Sequence, residues 1–279
     1  MICRRVKRND LKEIGFTRPG GGAGSPVRVA EVIASDLRQR ILRRALDDGP
    51  LPTQEALIVE YGVSGPSVRE ALRILEAEGL ITVRRGKLGG AYVHRPDWSS
   101  AAVALAMSLQ GQGVTLADLA DTLLTLEPMC AVACASRDDR MQTVVPALRD
   151  NLEQTQAVLG NGQSFTETAR SFHDILVDHI PNETMRLLVR STVAVWSVQE
   201  QMWASTLEEQ GHYPEESEQA AALKAHERLL SFIENGDVEA AAGLAGAHLR
   251  AIQRMMLADY GGRVVDASST SAVRRLRSL

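Results

Sequence analysis

Between Gly62 and Val93 the chain reads GVSGPSVREALRILEAEGLITVRRGKLGGAYV, a capped apolar helix running straight into two short β-rich segments. Val68, Ala71, Leu72 and Leu75 recur at helical spacing and form one stripe. Ser64 marks the start of this helix, Pro66 is tolerated in its first turn, and Gly79 stops it. LITV and GAYV then read as strands around a loop from Arg84 to Gly90. Upstream, Val29, Val32, Ile33, Leu37, Ile41 and Leu42 share one face of a helix over 27–45, which DDGPLP breaks. A short helix follows from Thr53, its N-cap, to Tyr61. Three small helices and a hairpin predict a winged helix over residues 27–95.

The charge pattern gives that unit a role. The net charge is −4, yet residues 1–96 hold 17 Lys and Arg against 11 Asp and Glu, while the remainder holds 14 against 24. A basic front on an acidic body points to nucleic acid at one end only. Arg69 and Arg73 lie four residues apart, about 40° around the helix from each other, away from the apolar stripe. A helix entering the major groove needs guanidiniums that reach phosphates and guanine edges together. Ser64 and Ser67 stand at its N-terminus as further contacts. Arg84, Arg85, Gly86 and Lys87 form the wing, where glycines let backbone approach a groove. A solvated basic hairpin is the competing reading of the same residues.

Residues 1–26 are basic, then glycine-rich, and read as a mobile arm; 96–100 reads as a linker. From there the pattern is helical over about 101–110, 115–136, 138–159, 164–180, 182–208, 215–235 and 237–259. Ser164 and Glu167 suggest a capping box, and Gly236 with Asp237 the turn of a helical hairpin. Residues 261–279 read as a flexible tail. The expected fold is mainly α: the winged helix, then an antiparallel bundle over 101–260 that hides its apolar faces against itself and a second copy. At 44% apolar residues the chain can bury such a core. No run reaches the roughly 20 apolar residues of a membrane span, and no signal-peptide pattern is present. Cys3, Cys130 and Cys134 give no disulfide framework, Cys130 and Cys134 reading as buried thiols, and a reducing cytoplasm fits.

Geometry also singles out histidines. His226 precedes the Gly236–Asp237 turn by about ten residues and His248 follows it by about eleven, so an antiparallel pair puts them at nearly equal depth, about 15 Å from the turn. His173 on a neighbouring helix could complete a three-histidine face suited to a divalent metal.

The stretch LPTQEALIVEYGVSGPSVREALRILEAEGLITVRRGKLGGAYV resembles the DNA-binding domain of GntR-family bacterial transcription regulators. It departs at Glu55 and Gly65, where relatives often carry arginine, so only Arg69 and the wing carry over. TLEPMCAVACA, SFHDILVDHIPNETM and AHERLLSFIENGDVEAA are similar to the FCD effector-binding domain of the FadR subfamily. That resemblance implies a small-acid cavity beside a metal held by one Asp and three histidines, here His173, His226 and His248. The Asp is replaced by Ala169, and an arginine useful for gripping a carboxylate is replaced by Leu123. Glu167 and Asp174 lie off the required face, while Arg170 would sit close to the site and disfavour a cation. Polar pocket histidines without metal remain the alternative. The pocket is expected to include the three histidines, Arg170 and Asn182. Trp196, Gln199 and Trp203 share a helix face and join it, or simply pack. His179 and His212 read as surface residues. Without the Asp and the Arg, a larger or less charged ligand gains ground over a small hydroxy or keto acid.

Two functions follow. One is a dimeric regulator binding a palindromic double-stranded DNA operator, its affinity modulated by a small-molecule effector, an organic acid by the resemblance. The other is a metal-dependent hydrolase with a DNA-targeting domain, which needs a general base near the histidines. None stands three or four residues from any of them in the sequence.

Overall fold

The structure, a computed structural model, describes residues 29–46, 49–84, 86, 89–210 and 215–278. The chain divides at Pro96 and Asp97 into two compact units. The N-terminal unit holds α1 (Val29–Leu42), α2 (Gln54–Tyr61), α3 (Gly65–Ala77), β1 (Ile81–Arg84) and β2 (Gly90–Val93). Ala30, Ile33, Ala34, Leu37 and Ile41 bury one face of α1. Leu42, expected on that face, is 56% exposed because it falls at the fraying end. Thr53 caps α2 by accepting from Ala56 N at 3.2 Å, and Gly62 closes it with φ 64°. Val68, Ala71 and Leu75 seat α3 on that core, each fully buried residue of Leu size contributing roughly 1.5–3 kcal/mol. Beyond α3, Gly79 takes φ 73° and Leu80 N reaches back to Leu75 O at 3.0 Å, a turn that a Cβ would strain. The chain then enters β1, which pairs antiparallel with β2 from Ile81–Val93 to Arg84–Gly90. Pro50 bridges to Tyr92 on the other side of β2.

The second unit is helical throughout: α4 (Trp98–Gly111), α5 (Leu116–Ala135), α6 (Arg140–Ala157), α7 (Gly162–Asp178), α8 (Glu183–Gln210), α9 (Glu216–Asn235), α10 (Val238–Tyr260) and α11 (Thr270–Arg277). α10 lies along α5, α4 and α7 flank α8, and α6 packs on α7 and α9. Trp196 and Phe172 are fully buried at the centre, and the thiols of Cys130 and Cys134 are buried as expected. Gly236, at φ 68°, and Asp237, which accepts from Ala240 N at 3.0 Å, make the α9–α10 hairpin as anticipated. Among the described residues no helix is long and apolar enough to cross a membrane.

Three expectations are corrected. The segment read as a linker is already helical from Trp98, because Asp97 accepts from Ser99 N and Ser100 N and so caps α4. The Ser164–Glu167 capping box is not formed. The helix α7 starts at Gly162, placing both residues inside it, and Glu167 accepts from Gln163 instead. Finally, the segment after Gly261 is not a free tail. Thr115 bridges to Val264, and Val265, Ala267, Ala272 and Leu276 are buried in the bundle core. Gln199 clamps Asp266 through its backbone in both directions, at 2.8 and 3.0 Å, and Arg275 bonds Gln201 and Ser205. Ser269 caps α11 by accepting from Ala272 N.

Deleting residues 264–279 should therefore lower the melting temperature of the bundle by about 5 °C, read by calorimetry. An unchanged melting temperature contradicts the integral role of this segment.

Candidate nucleic-acid interface and histidine cavity

The exposed face of α3 carries Arg69, Arg73 and Glu76 between Pro66 and Ala77. Arg69 is exposed and makes no hydrogen bond or ion pair among the described residues, leaving its donors available. Arg73 differs, because Glu70 one turn earlier holds it through two bonds of 2.8 and 3.0 Å. On a polyanion that pair has to exchange, since the carboxylate repels the phosphates that the guanidinium seeks. The Ser64 hydroxyl does not cap the helix; it lies 3.1 Å from the Ser67 hydroxyl at the electropositive end of α3. Arg84, the last residue of β1, stacks over the Tyr92 ring at 4.4 Å, which stiffens the base of the wing. Gly86 adopts φ 109°, a conformation that favours glycine. Arg85 and Lys87 lie outside the described residues.

In the helical unit, α7, α9 and α10 bring His173, His226 and His248 together, all buried. Nε2 of His226 lies 3.2 Å from Nε2 of His173 and 2.8 Å from Nε2 of His248. Equal depth on the α9–α10 hairpin, read from the sequence, accounts for the second distance. The sequence did not show what stands behind His173. Glu127, from α5, meets its Nδ1 at 2.5 Å and accepts from Arg170 at 2.7 Å. Burial pushes the Glu127 carboxyl up, but Arg170 and His173 outweigh it and hold it at about 2. An ionised carboxylate only accepts, so Nδ1 of His173 carries the hydrogen and Nε2 presents a lone pair to the other rings. Burial, with the neighbouring His173 and Arg170, pushes His248 down to about 3, and burial with the same charges and His248 holds His226 well below its usual range. Neutral imidazoles are the form that ligates metal.

The donor set fits a divalent ion. Tetrahedral Zn–N bonds of 2.0–2.1 Å imply donor separations of about 3.3 Å; His173 and His226 stand at 3.2 Å, while His226 and His248 are closer at 2.8 Å. The carboxylate behind His173 orients one ring, Phe172 stacks on the His226 ring at 4.2 Å, and Glu127 offsets the Arg170 charge nearby. His226 Nδ1 is buried and finds no hydrogen-bond partner among the described residues, so that ring lacks polar support behind it.

The cluster forms one wall of a cavity of about 450 Å³. Its remaining lining includes Ala169, Arg170, Glu200 and Trp203, then apolar residues such as Leu244, Ile252 and Met255. Arg170 and Trp203 both line this cavity, and Ala169 leaves space where the resemblance implied an Asp. Three other expectations are corrected. Asn182 is exposed and caps α8 by accepting from Met185 N at 2.9 Å. Trp196 is 0% exposed, packed in the core, and is not part of the cavity lining. Gln199 is committed to Asp266. His179 is half-buried at the end of α7, its Nδ1 on Ile175 O, and His212 lies outside the described residues. Glu127 and Glu200 are the residues that sequence reasoning missed. A signal existed: Glu127 interrupts the apolar stripe of Leu123, Cys130 and Cys134, and Glu200 falls between Trp196 and Trp203 on α8.

Titration should expose this arrangement. Unfolded histidines bind protons near pH 6.5 while folded His226 and His248 stay neutral, so acidification favours unfolding. In chelator-treated protein stability should fall from pH 6.5 towards 4, by up to about 1.4 kcal/mol per pH unit for each histidine. The slope should shrink in His248→Gln; equal slopes for parent and variant contradict the buried neutral cluster.

Comparison with known proteins places both units. Residues 29–93 match the family model of the bacterial regulatory proteins of the gntR family, and residues 118–251 match the FCD domain. The chain is 27% identical over 177 residues to the HTH-type transcriptional repressor NanR of Cronobacter sakazakii and 25% identical to that of Escherichia coli O1:K1. Each match covers 61% of this chain and 65% of the relative, so less than two thirds of those proteins is spanned. The GntR structure from Streptococcus agalactiae aligns with a TM-score of 0.58 at 21% identity, over 81% of this chain and 99% of that one, and shares the fold. Together, the two family matches show that this chain joins a gntR-family domain over residues 29–93 to an FCD domain over residues 118–251.

Proposed function

We propose that this chain is a transcription regulator that binds a palindromic operator as a homodimer in the cytoplasm and releases or grips it in response to a small molecule in the histidine-walled cavity. The observation that carries this reading is the pairing, in one chain, of an exposed Arg69 without a partner among the described residues and a ligand-sized cavity in the second unit. One winged helix makes few phosphate contacts; two linked copies raise affinity by effective concentration. An effector acts by binding one arrangement of the two DNA-binding units better than the other. The repressor names of the NanR relatives support a negative regulator.

His173, His226 and His248 would hold a divalent metal, which when bound supplies positive charge for an acidic effector. The chain's own contribution is orientation: Glu127 fixes the His173 tautomer and Arg170 adds a buried cation on the same wall. Glu127 has its two oxygens committed to Arg170 and His173, so it is not the free base that a hydrolase would need.

On an operator recovered by selection from random duplexes, Arg69→Ala should weaken specific binding by roughly 1–3 kcal/mol, whereas Lys87→Ala should weaken all sequences alike. Parent-like operator affinity in Arg69→Ala removes α3 as the recognition element. For the metal, elemental analysis of untagged protein prepared with ample zinc should find about one ion per chain. Protein that emerges without a bound divalent ion rules the metal out and leaves the imidazoles as hydrogen-bonding groups.

A further inference from the structure

The cavity carries an unbalanced charge. Arg170 is compensated by Glu127, and Asp174 is paired with Arg190 at 2.7 Å. Glu218 stands at the solvent-exposed start of α9 and is used in its capping box. That leaves Glu200, on α8, lining the same cavity without an ion pair among the described residues. Trp196 Nε1 lies near enough to favour its charge but forms no well-directed hydrogen bond. Burial pushes the Glu200 carboxyl up, against the opposing influence of Arg170 and His173. Arg170 and Glu200 therefore sense one another without touching, and Arg170 keeps Nε and NH1 unpartnered although only 6% of the residue is exposed. Both groups border the void that a ligand would fill.

Resting on the effector reading of this cavity, we infer that its ligand is a zwitterion of the amino-acid class with an apolar side chain. The carboxylate faces the unpartnered Nε and NH1 of Arg170, the ammonium faces Glu200, and the side chain lies along Leu244, Ile252 and Met255. A hydroxyl in place of the ammonium would satisfy a hydrogen bond but leave Glu200 without a counter-charge on the cavity wall. An ammonium supplies both. The alanines of α9 and α10 that border the cavity, Ala222, Ala225 and Ala251 among them, leave width for a branched or aromatic side chain.

The test is calorimetric titration of the full chain, chelator-treated so that Glu200 has no metal to pair with, against L-leucine, L-phenylalanine, 4-methylpentanoate and 3-methylbutylamine. At least one amino acid should bind about 10-fold or more tightly than either leucine fragment. Glu200→Gln should weaken amino-acid binding by a similar factor and should not weaken binding of 4-methylpentanoate. An acid that binds as tightly as the amino acids overturns the zwitterion while leaving the cavity as an effector site. Equal amino-acid affinity in parent and Glu200→Gln also overturns it. If none of the four binds, the inference falls; the effector reading then stands or falls on whether other small molecules shift operator affinity.

Discussion

A guanidinium and a carboxylate buried together in the helical unit set the conditions for everything around them. Arg170 and Glu127 are 6% and 4% exposed, and removing either partner would strand a charge at a cost of roughly 3–5 kcal/mol. Such a pair is a weak source of net stability compared with a well-packed apolar isostere, so its presence points to another role. That role is visible in the second oxygen of Glu127, which reaches His173 and dictates which nitrogen faces the cavity. The order runs from α5 to α7 and then to α9 and α10: carboxylate, oriented ring, then two neutral rings. Phe172, stacked on His226 at 4.2 Å, holds the middle ring in place.

The winged-helix unit was almost wholly legible because its signals are local. The stripe of Val68, Ala71 and Leu75, the Thr53 cap and the left-handed glycines at 62 and 79 each act within a few residues. The misplaced residue there, Leu42, fell at a helix end, where periodicity continues but packing does not. In the helical unit the helix spans and the α9–α10 hairpin could be read for the same reason. The close approach of His226 to His248 follows from spacing about one turn.

Other features depended on contacts between distant segments. Glu127 and His173 stand 46 positions apart, and a search for carboxylates one turn from each histidine could not find their contact. Gln199 had the right helix face for the cavity but is drawn away by the backbone of Asp266, 67 residues on. The segment after Gly261 looked like a tail because it is short and rich in Ser and Arg. Only the bundle surface it covers explains why Val265 and Leu276 are buried. Ala169, where the resemblance implied an Asp, shows the opposite case. Its loss was plain in the sequence, but the carboxylate left in the cavity, Glu200, comes from a different helix and stands opposite different partners.

The claim on which the site rests is that Glu127 fixes His173 with its hydrogen on Nδ1, so that three ring nitrogens present themselves to one point. Imidazole nitrogen NMR of chelator-treated protein near neutral pH reports that tautomer directly. The account requires the His173 signal of the Nδ1–H form, reverting towards the ordinary mixture in Glu127→Gln. A His173 ring protonated on Nε2 in the parent protein would contradict it, since no lone pair would then face His226.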